Sequence, residues 1–283
     1  MKKEIIIVLI LLVVICVLIA IYLYFENNTL QISKYNIKND RLPNGFTNYK
    51  IAHISDFHNT KSEKLKKSIL KSLQKEQPDI LVITGDLIDS YHTDIKISQQ
   101  FINKIKDIPI YYVAGNHESR IKEYSKFKQE LIKMGVNVLE NQNISIKNNK
   151  DEINVIGIED PSFETRENNS EEMQKIIDSN LQKLYIEDKF NILIIHRPEL
   201  LETYAKNNID LVFAGHAHGG QFRIPFIGPL IAPNQGLFPK LTSGVNHLNN
   251  TDLVISRGIG NSRIEYRINN NPELIYVTLE KAK

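Results

Sequence analysis

The stretch Asp210-Leu-Val-Phe-Ala214, running into Gly215-His216-Ala217-His218-Gly219-Gly220-Gln221, decides how this chain of 283 residues is read. An apolar run ends in two histidines spaced two apart. In extended backbone, residues i and i+2 point to the same side. The imidazoles of His216 and His218 can therefore face one spot beyond the strand end. The flanking glycines permit unusual φ/ψ and close approach of a ligand. Taken alone, the pair could equally be two solvated turn histidines, so the other strand ends must settle the matter.

Four more apolar runs end in the same kinds of residue. Residues 49–55 read as a strand ending in Asp56-Phe57-His58, and residues 79–84 as one ending in Gly85-Asp86-Leu-Ile-Asp89. Residues 108–114 lead to Gly115-Asn116-His117-Glu118, and residues 191–195 to His196-Arg197-Pro198. Between them, apolar residues at helical spacing predict helices over 61–76, 94–106, 119–134 and 171–184, with a short one before 209–213. Strands alternating with helices imply an α/β fold with largely parallel sheets. Residues 136–139, 143–147 and 152–158 carry strand character without long helices and predict an antiparallel part. Beyond the histidine pair, strands are expected over 221–224, 252–256, 262–268 and 273–279, with a Pro/Gly-rich excursion over 225–244.

In α/β sheets, ligands bind outside the carboxyl ends of strands. Five of the eight histidines sit at these ends, together with Asp56, Asp86 and Asn116. Aspartate and neutral histidine are ordinary donors to first-row divalent ions, and an Asn carbonyl is a weaker neutral one. One carboxylate can bridge two ions. Two metals ~3.5–4 Å apart clamp the attacking and leaving oxygens of an in-line displacement at phosphorus and lower the pKa of bound water. His117 can protonate a leaving oxygen. Oxygen and imidazole donors without thiolate admit two divalent ions such as Mn, Fe or Zn, and also Co or Ni. Arg197 and Arg257 have the geometry to meet phosphate oxygens, although a structural salt bridge is the plainer role for each. Glu118 reads as a helix-start residue, Asp160 as a strand-end turn residue, His53 as packed within the sheet, and His92 and His247 as loop residues.

Composition narrows the field. The 35 basic and 33 acidic side chains nearly balance, and tryptophan is absent. No basic-aromatic platform for nucleic acid is visible. Residues 5–25 are an unbroken apolar run, long enough as a helix to span ~30 Å of hydrocarbon. The run exceeds a signal-peptide core and lacks a small-residue cleavage site. It therefore reads as an uncleaved anchor over residues 1–28. A connector with an edge strand follows over 29–47, and one globular domain over 48–283. Lys2 and Lys3 precede the run and no basic residue follows until Lys34. That bias predicts a single-pass cell-membrane protein with its domain on the extracytoplasmic side. The one cysteine, Cys16, lies inside the run, which leaves the domain without disulfides or thiolate ligands.

The series Asp56-x-His58, Gly85-Asp86-x-x-Asp89, Gly115-Asn116-His117-Glu118, His196 and Gly215-His216-x-His218 resembles the calcineurin-like metallophosphoesterases, block for block and in order. The resemblance covers about residues 50–279. The anchor, the Gly-Gly-Gln after His218, residues 256–260 and 272–274 look like the membrane-associated bacterial phosphodiesterases of the YaeI/YkuE type. The resemblance implies a four-layer α/β/β/α sandwich. It implies one metal held by Asp56, His58, Asp86 and His218, and another by Asp86, Asn116, His196 and His216, with Asp86 bridging. It also implies a water between the metals as nucleophile, His117 as charge stabiliser or proton donor, and Asp89 orienting it. The apolar content of residues 225–244 beside an anchor suggests a lipid-linked or otherwise amphiphilic phosphodiester or pyrophosphate. Competing expectations are a phosphoprotein or phosphomonoester phosphatase and a non-catalytic envelope protein stabilised by metal. Ser90-Tyr91 after Asp89, where the phosphatases carry Arg-Gly, weighs against the former.

Overall fold

The structure, a computed structural model, describes residues 2–105, 107–166, 169–261 and 263–282. In chain order the elements are α1 (Lys2–Asn28), β1 (Gln31–Asn39), β2 (Lys50–Ile54), α2 (Glu63–Glu76), β3 (Ile80–Thr84), α3 (Ile95–Asn103) and β4 (Ile110–Val113). Next come α4 (Tyr124–Lys133), β5 (Asn137–Val138), β6 (Gln142–Asn148), β7 (Asp151–Gly157), α5 (Ser170–Leu184), β8 (Asn191–Ile194), α6 (Leu201–Lys206) and β9 (Leu211–Ala214). Four short strands follow: β10 (Arg223–Ile224), β11 (Gly228–Pro229), β12 (Ile231–Ala232) and β13 (Gly236–Leu237). The chain ends with β14 (Gly244–Leu248), β15 (Thr251–Ile255) and β16 (Glu273–Lys281).

Two six-stranded sheets form the middle, in the orders β1-β16-β2-β3-β4-β5 and β14-β15-β9-β8-β7-β6. In the first sheet β2, β3 and β4 run parallel, with β16 antiparallel to β2; in the second β7, β8, β9 and β15 run parallel. The central strands β3, β8 and β9 are short, buried on both faces, and rich in Ile, Leu, Val and Phe. That is what a sheet covered on both sides requires. Side-chain alternation in β2 divides its residues between two cores. Ile51 joins Val82, Val113, Ile153, Ile192 and Phe213 between the sheets. Ala52 and Ile54 turn the other way, onto Leu65, Ile69, Phe101 and Phe127 of α2, α3 and α4. On the far side, Ile156, Leu193 and Val212 meet Met173, Ile177, Leu181 and Tyr204 of α5 and α6. The result is the expected α/β/β/α sandwich.

The helix ends follow their caps. Ser62, Asp94 and Asn169 each accept a backbone N–H at the starts of α2, α3 and α5, as short polar side chains do. α1 is apolar around its whole circumference and exposed along residues 3–22, outside all three cores. It is one candidate membrane span by length and composition.

Four expectations are corrected. The helix expected over 119–134 is broken: Glu118–Arg120 form one 3-10 turn, Ile121 is extended and buried, and α4 starts at Tyr124. Burying Ile121 and the Glu118 carboxylate fixes the first turn and forces the break. β5 is not antiparallel; it pairs parallel to β4 at the edge of the first sheet. Within residues 263–268 no strand forms. The Ile264 and Tyr266 carbonyls accept from the Gln221 amide at 2.9 and 2.8 Å, and the Glu265 carbonyl from Asn261 at 2.6 Å, so side chains replace a ladder. β14 was not anticipated, and it places His247 on a strand, paired with Asp252 at 3.0 Å. The expected helix end at Lys106 and strand start at Ser262 lie outside the described residues.

Candidate metal centre

The two sheets end side by side, and the residues after β2, β3, β4, β8 and β9 converge there. Asp56, His58, Asp86, His216 and His218 all take left-handed backbone, with φ of 49°, 45°, 52°, 63° and 47°. Non-glycine residues rarely do so, and such strain concentrates at functional sites. Each strand here ends in a sharp turn that points its side chain inward instead of continuing the ladder.

The donor atoms form two groups, with carboxylate oxygens of Asp86 and Asp56 standing between them. In the first, His58 Nε2 lies 3.2 Å from His218 Nε2 and 3.9 Å from Asp56 Oδ1, and His218 Nε2 lies 3.4 Å from that same oxygen. In the second, His196 Nε2 lies 3.1 Å from both Asn116 Oδ1 and His216 Nδ1. Asp86 Oδ2 touches both groups, 3.7 Å from His58 Nε2 and 3.3 Å from His196 Nε2.

These spacings test whether a cation fits. Ligands bound at ~2.0–2.2 Å around one ion stand roughly 3–3.4 Å from each other. Several gaps within each group fall in that range. Two imidazole nitrogens facing each other at such distances need something positive between them, a proton or an ion. Asp56, His58 and His218, and separately Asp56, Asp86 and His196, are sets close enough to hold one.

The surrounding bonds orient the donors. The His117 amide donates to Asp86 Oδ1 at 2.9 Å, which leaves Oδ2 facing the centre. The His216 amide donates to Asp56 Oδ2 at 3.0 Å and more distantly to Oδ1 at 3.3 Å, and Oδ1 is the oxygen nearest the imidazoles. His196 Nδ1 lies 2.6 Å from the Thr84 carbonyl, which fixes the tautomer and presents Nε2. Metal-bound histidines commonly give their second N–H to such an acceptor. Gly115 and Gly215 make room: a Cβ on Gly115 would strike Asp86 Oδ1, and one on Gly215 would strike Asp56 Oδ2 and Ser55 Oγ.

Burial pushes His58 and His218 down to about 3, and His216 well below its ordinary value. All three rings are neutral at pH 7 and need lose no proton to become ligands. His196 is different. Burial lowers it, but the Asp86 charge and hydrogen bond outweigh burial and raise it to about 10. Asp86 correspondingly sits well below the usual carboxylate range despite its burial. A proton between these two occupies a place where a cation would compete with it.

His117 stands beside this centre, its Nε2 4.0 Å from Asp86 Oδ2. Its Nδ1 lies 3.1 Å from Asp89 Oδ1 and 2.9 Å from the Ser90 amide. Burial lowers the ring's pKa, while the Asp86 charge and the Asp89 hydrogen bond raise it, with a net upward shift. Asp89 is held in turn, its amide donating to Asn59 Oδ1 at 2.7 Å, and its carboxyl is lowered to about 2. Tyr91 packs edge-on against the His117 ring at 5.6 Å.

A cavity of ≈ 380 Å³ opens over the centre. Asp86, Asn116, His117, His216 and His218 form its floor, and Tyr91, Arg120, Asn234, Arg263 and Ile264 are among its walls. The arginines foreseen for phosphate lie elsewhere. Arg197 is fully buried, its Nε and Nη2 donating to the Asp160 carboxylate at 2.7 and 3.0 Å and Nη2 also to Ser162. This is a structural two-point ion pair, and Asp160 is its partner as well as the cap of the next turn. Arg257 reaches Gln31 of β1 at 3.5 Å and is absent from the cavity wall. Arg120 and Arg263 stand at the wall instead; only its place three residues after His117 could have marked Arg120.

Three more residues support the centre in ways the sequence analysis did not foresee. Glu118 does not face solvent at a helix start. It is buried, accepts the amides of Asp86, Gly115 and Ile88 at 2.9, 2.8 and 3.0 Å, and is pushed up to about 7 by burial first and by Asp86 second. Arg267 is fully buried, donates to the Gly260 and Arg257 carbonyls at 2.6 Å each, and places Nη2 3.4 Å from His218 Nδ1. Asn270 holds the His218 carbonyl at 2.7 Å. His53 is packed as expected, 2.8 Å from Thr84 Oγ1, and His92 is exposed beside Asp89.

The chain is similar to several known proteins. The chain is 26% identical over 272 residues to the metallophosphoesterase YkuE of Bacillus subtilis, covering 92% of this chain and 88% of that one. It is 24% identical over 255 residues to a transmembrane protein with metallophosphoesterase domain from Bos taurus, covering 86% of this chain and 55% of that longer protein. Among solved structures, TT1561 of Thermus thermophilus superposes with a TM-score of 0.48 at 12% identity, over 75% of this chain and 91% of the other. The profile of the calcineurin-like phosphoesterases matches residues 49–220, the stretch that supplies every donor described above, and the chain belongs to that family.

Proposed function

We propose that this chain is a membrane-anchored, dinuclear-metal hydrolase of phosphodiester or pyrophosphate bonds. The observation that carries the reading is the pair of donor groups joined at Asp86 Oδ2 beneath an open cavity. Asp56, His58, Asp86 and His218 would hold one divalent ion, and Asp86, Asn116, His196 and His216 the other. Two such ions supply charge neutralisation at the phosphoryl oxygens and make water acidic enough to attack near neutral pH. The chain's own residues do the rest. His117, paired with Asp89, carries a proton at the edge of the centre, where a leaving oxygen would take it. Arg120 and Arg263 stand at the wall where substrate phosphate would enter, and arginine suits that contact. Asp89 and Ser90 set the His117 ring; Glu118 and Gly115 set Asp86.

The anchor would be α1, with the domain over residues 48–283 outside the cell and the substrate lipid-linked or amphiphilic. The test is turnover by the full chain in detergent, stripped by chelator and resupplied with Mn, Fe, Zn, Co or Ni one at a time. Bis(p-nitrophenyl) phosphate should be cleaved only with metal, and faster than the monoester. Asp86→Asn should lower turnover by on the order of a hundredfold or more, because it weakens both donor groups at once. Monoester cleavage alone would favour a phosphomonoesterase. No turnover of any ester by a metal-loaded protein would favour a metal-stabilised envelope protein.

A further inference from the structure

We propose that the two hairpins following the metal centre, β10–β11 and β12–β13, rest in the surface of the bilayer that α1 crosses, so that the cavity opens at the membrane–water boundary. The inference deepens the proposed function and rests on α1 being a span. Three observations carry it.

The first is the seat of α1. Its last turns do not swing free of the domain. The Tyr22 hydroxyl donates to Asn269 Oδ1 at 3.0 Å and accepts the Asn269 amide at 3.1 Å. Asn27 Oδ1 accepts the Arg267 amide at 2.9 Å, Glu26 accepts the Asn270 amide, and the Glu26 carbonyl accepts from Asn271 at 2.9 Å. Tyr22, Tyr24 and Phe25 close the apolar run, where interfacial aromatics belong. Residues 267–271 are thereby placed at the interfacial level of the anchor.

The second is continuity. Asn269 Nδ2 donates to the Arg223 carbonyl at 3.0 Å, and the Arg223 amide to the Ile268 carbonyl at 2.9 Å. The β10–β11 hairpin therefore grows directly from the segment that α1 grips. The second hairpin is stitched to the first through the Leu230 amide on the Phe222 carbonyl at 2.8 Å.

The third is what these hairpins expose. Phe226 is 109% exposed, Leu237 67%, Ile227 64% and Phe238 58%. Phe226 and Phe238 hold φ of 67° and 52°, which bulky residues rarely adopt, so their backbone turns outward at a cost. Tyr266 and Ile264, on the segment that Gln221 holds, are exposed as well, and so are the cations Lys240, two residues after Phe238, and Arg263. Apolar side chains bordered by basic ones suit an interface of acyl chains and anionic headgroups. Ile231, Ile264 and Arg263 also line the cavity, so one surface serves both.

The experiment uses the full chain with Cys16→Ser, reconstituted in phosphatidylcholine/phosphatidylglycerol vesicles, carrying an environment-sensitive dye on Ile227→Cys or Leu237→Cys. Lipids spin-labelled near the headgroup should quench both dyes and leave one on exposed Lys183→Cys of α5 unaffected. Unquenched hairpin dyes beside a dye on Ile15→Cys that is quenched by lipids spin-labelled deep in the acyl chain would overturn the docking while leaving the span intact. A dye on Ile15→Cys left unquenched by that deep label would remove the span and the proposal with it. Hairpin dyes shielded from aqueous quencher yet untouched by spin-labelled lipid would show a protein partner there and also overturn it. A kinetic arm separates this from the proposed function. Phe226→Ser with Phe238→Ser should slow cleavage of a vesicle-embedded phosphodiester by roughly tenfold and leave a water-soluble diester unchanged. Equal effects on both substrates would count against the docking. Failure of the unaltered chain on both diesters would sink the activity, with the dyes still deciding the docking.

Discussion

At the scale of single residues, what decides the site is the room and the bonds around each carboxylate. Asp86 is held from three directions: its Oδ1 by the His117 amide, its own amide by Glu118, and the space beside it by the missing side chain of Gly115. A methyl at residue 115 has nowhere to go, because Asp86 Oδ1 and the Asp86 amide already occupy its place. Gly115→Ala should therefore move Asp86 by a sizeable fraction of an ångström without unfolding the sandwich. A misplacement near 1 Å costs on the order of a hundredfold in rate. Turnover together with metal affinity by titration calorimetry checks this; normal affinity and normal turnover would show that Asp86 does not need that space. That the donor side chains would gather at one end was legible in the sequence, since aspartate, asparagine and histidine follow five apolar runs. Their supports were not. Glu118 follows His117 in sequence as a helix-start residue would, and only the tertiary fold turns its carboxylate inward to three amides. Arg197 follows His196 as a phosphate ligand would, yet Asp160 from a distant turn claims it.

At the scale of elements, strands and helices with a strong apolar period were read within a few residues of their ends, and weakly patterned segments were misread. β5 is two residues long, so its partner is set by where α4 ends and not by its own pattern. Residues 263–268 alternate like a strand, but Gln221 and Asn261 take the carbonyls a neighbour would need. That segment has a second tie invisible in sequence, to the end of α1. Asn27 accepts the Arg267 amide at 2.9 Å, and Arg267 and Asn270 in turn hold the His218 region. The end of α1 thus braces the loop behind a candidate ligand. Glu26→Ala with Asn27→Ala removes acceptors for the Arg267 and Asn270 amides. A net hydrogen bond of ~1 kcal/mol corresponds to roughly fivefold in local opening. Hydrogen exchange at those two amides should accelerate by about that factor, with the amides of β3 and β8 unchanged. Unaltered exchange at both amides would show that the loop holds itself.

At the scale of the whole molecule, the donor set is divided between the sheets. Asp56, His58, Asp86 and Asn116 follow strands of the first, and His196, His216 and His218 follow strands of the second. The apolar residues between the sheets join the two halves along their length, and the donors join them at one end. Without an ion, this end brings two buried carboxylates and several buried imidazoles together. Asp56 is pushed above the usual carboxylate range, mainly by burial, while Asp86 is pulled below it by its neighbours. Buried charges are costly unless paired. A divalent pair bound only by the folded chain would offset that cost and add free energy of its own. At a free concentration one hundred times the dissociation constant, one site contributes about 2.7 kcal/mol. For a domain of this size that corresponds to about 5–10 °C in the unfolding midpoint. Calorimetry of the full chain in detergent, with chelator and then with metal restored, should show a midpoint shift of at least that size. Asp86→Asn should lose most of the metal-dependent part, because its Oδ2 faces both donor groups. A midpoint indifferent to chelator would mean that the sheets are held by their apolar interface alone and that the donors gather no ion of consequence to the fold.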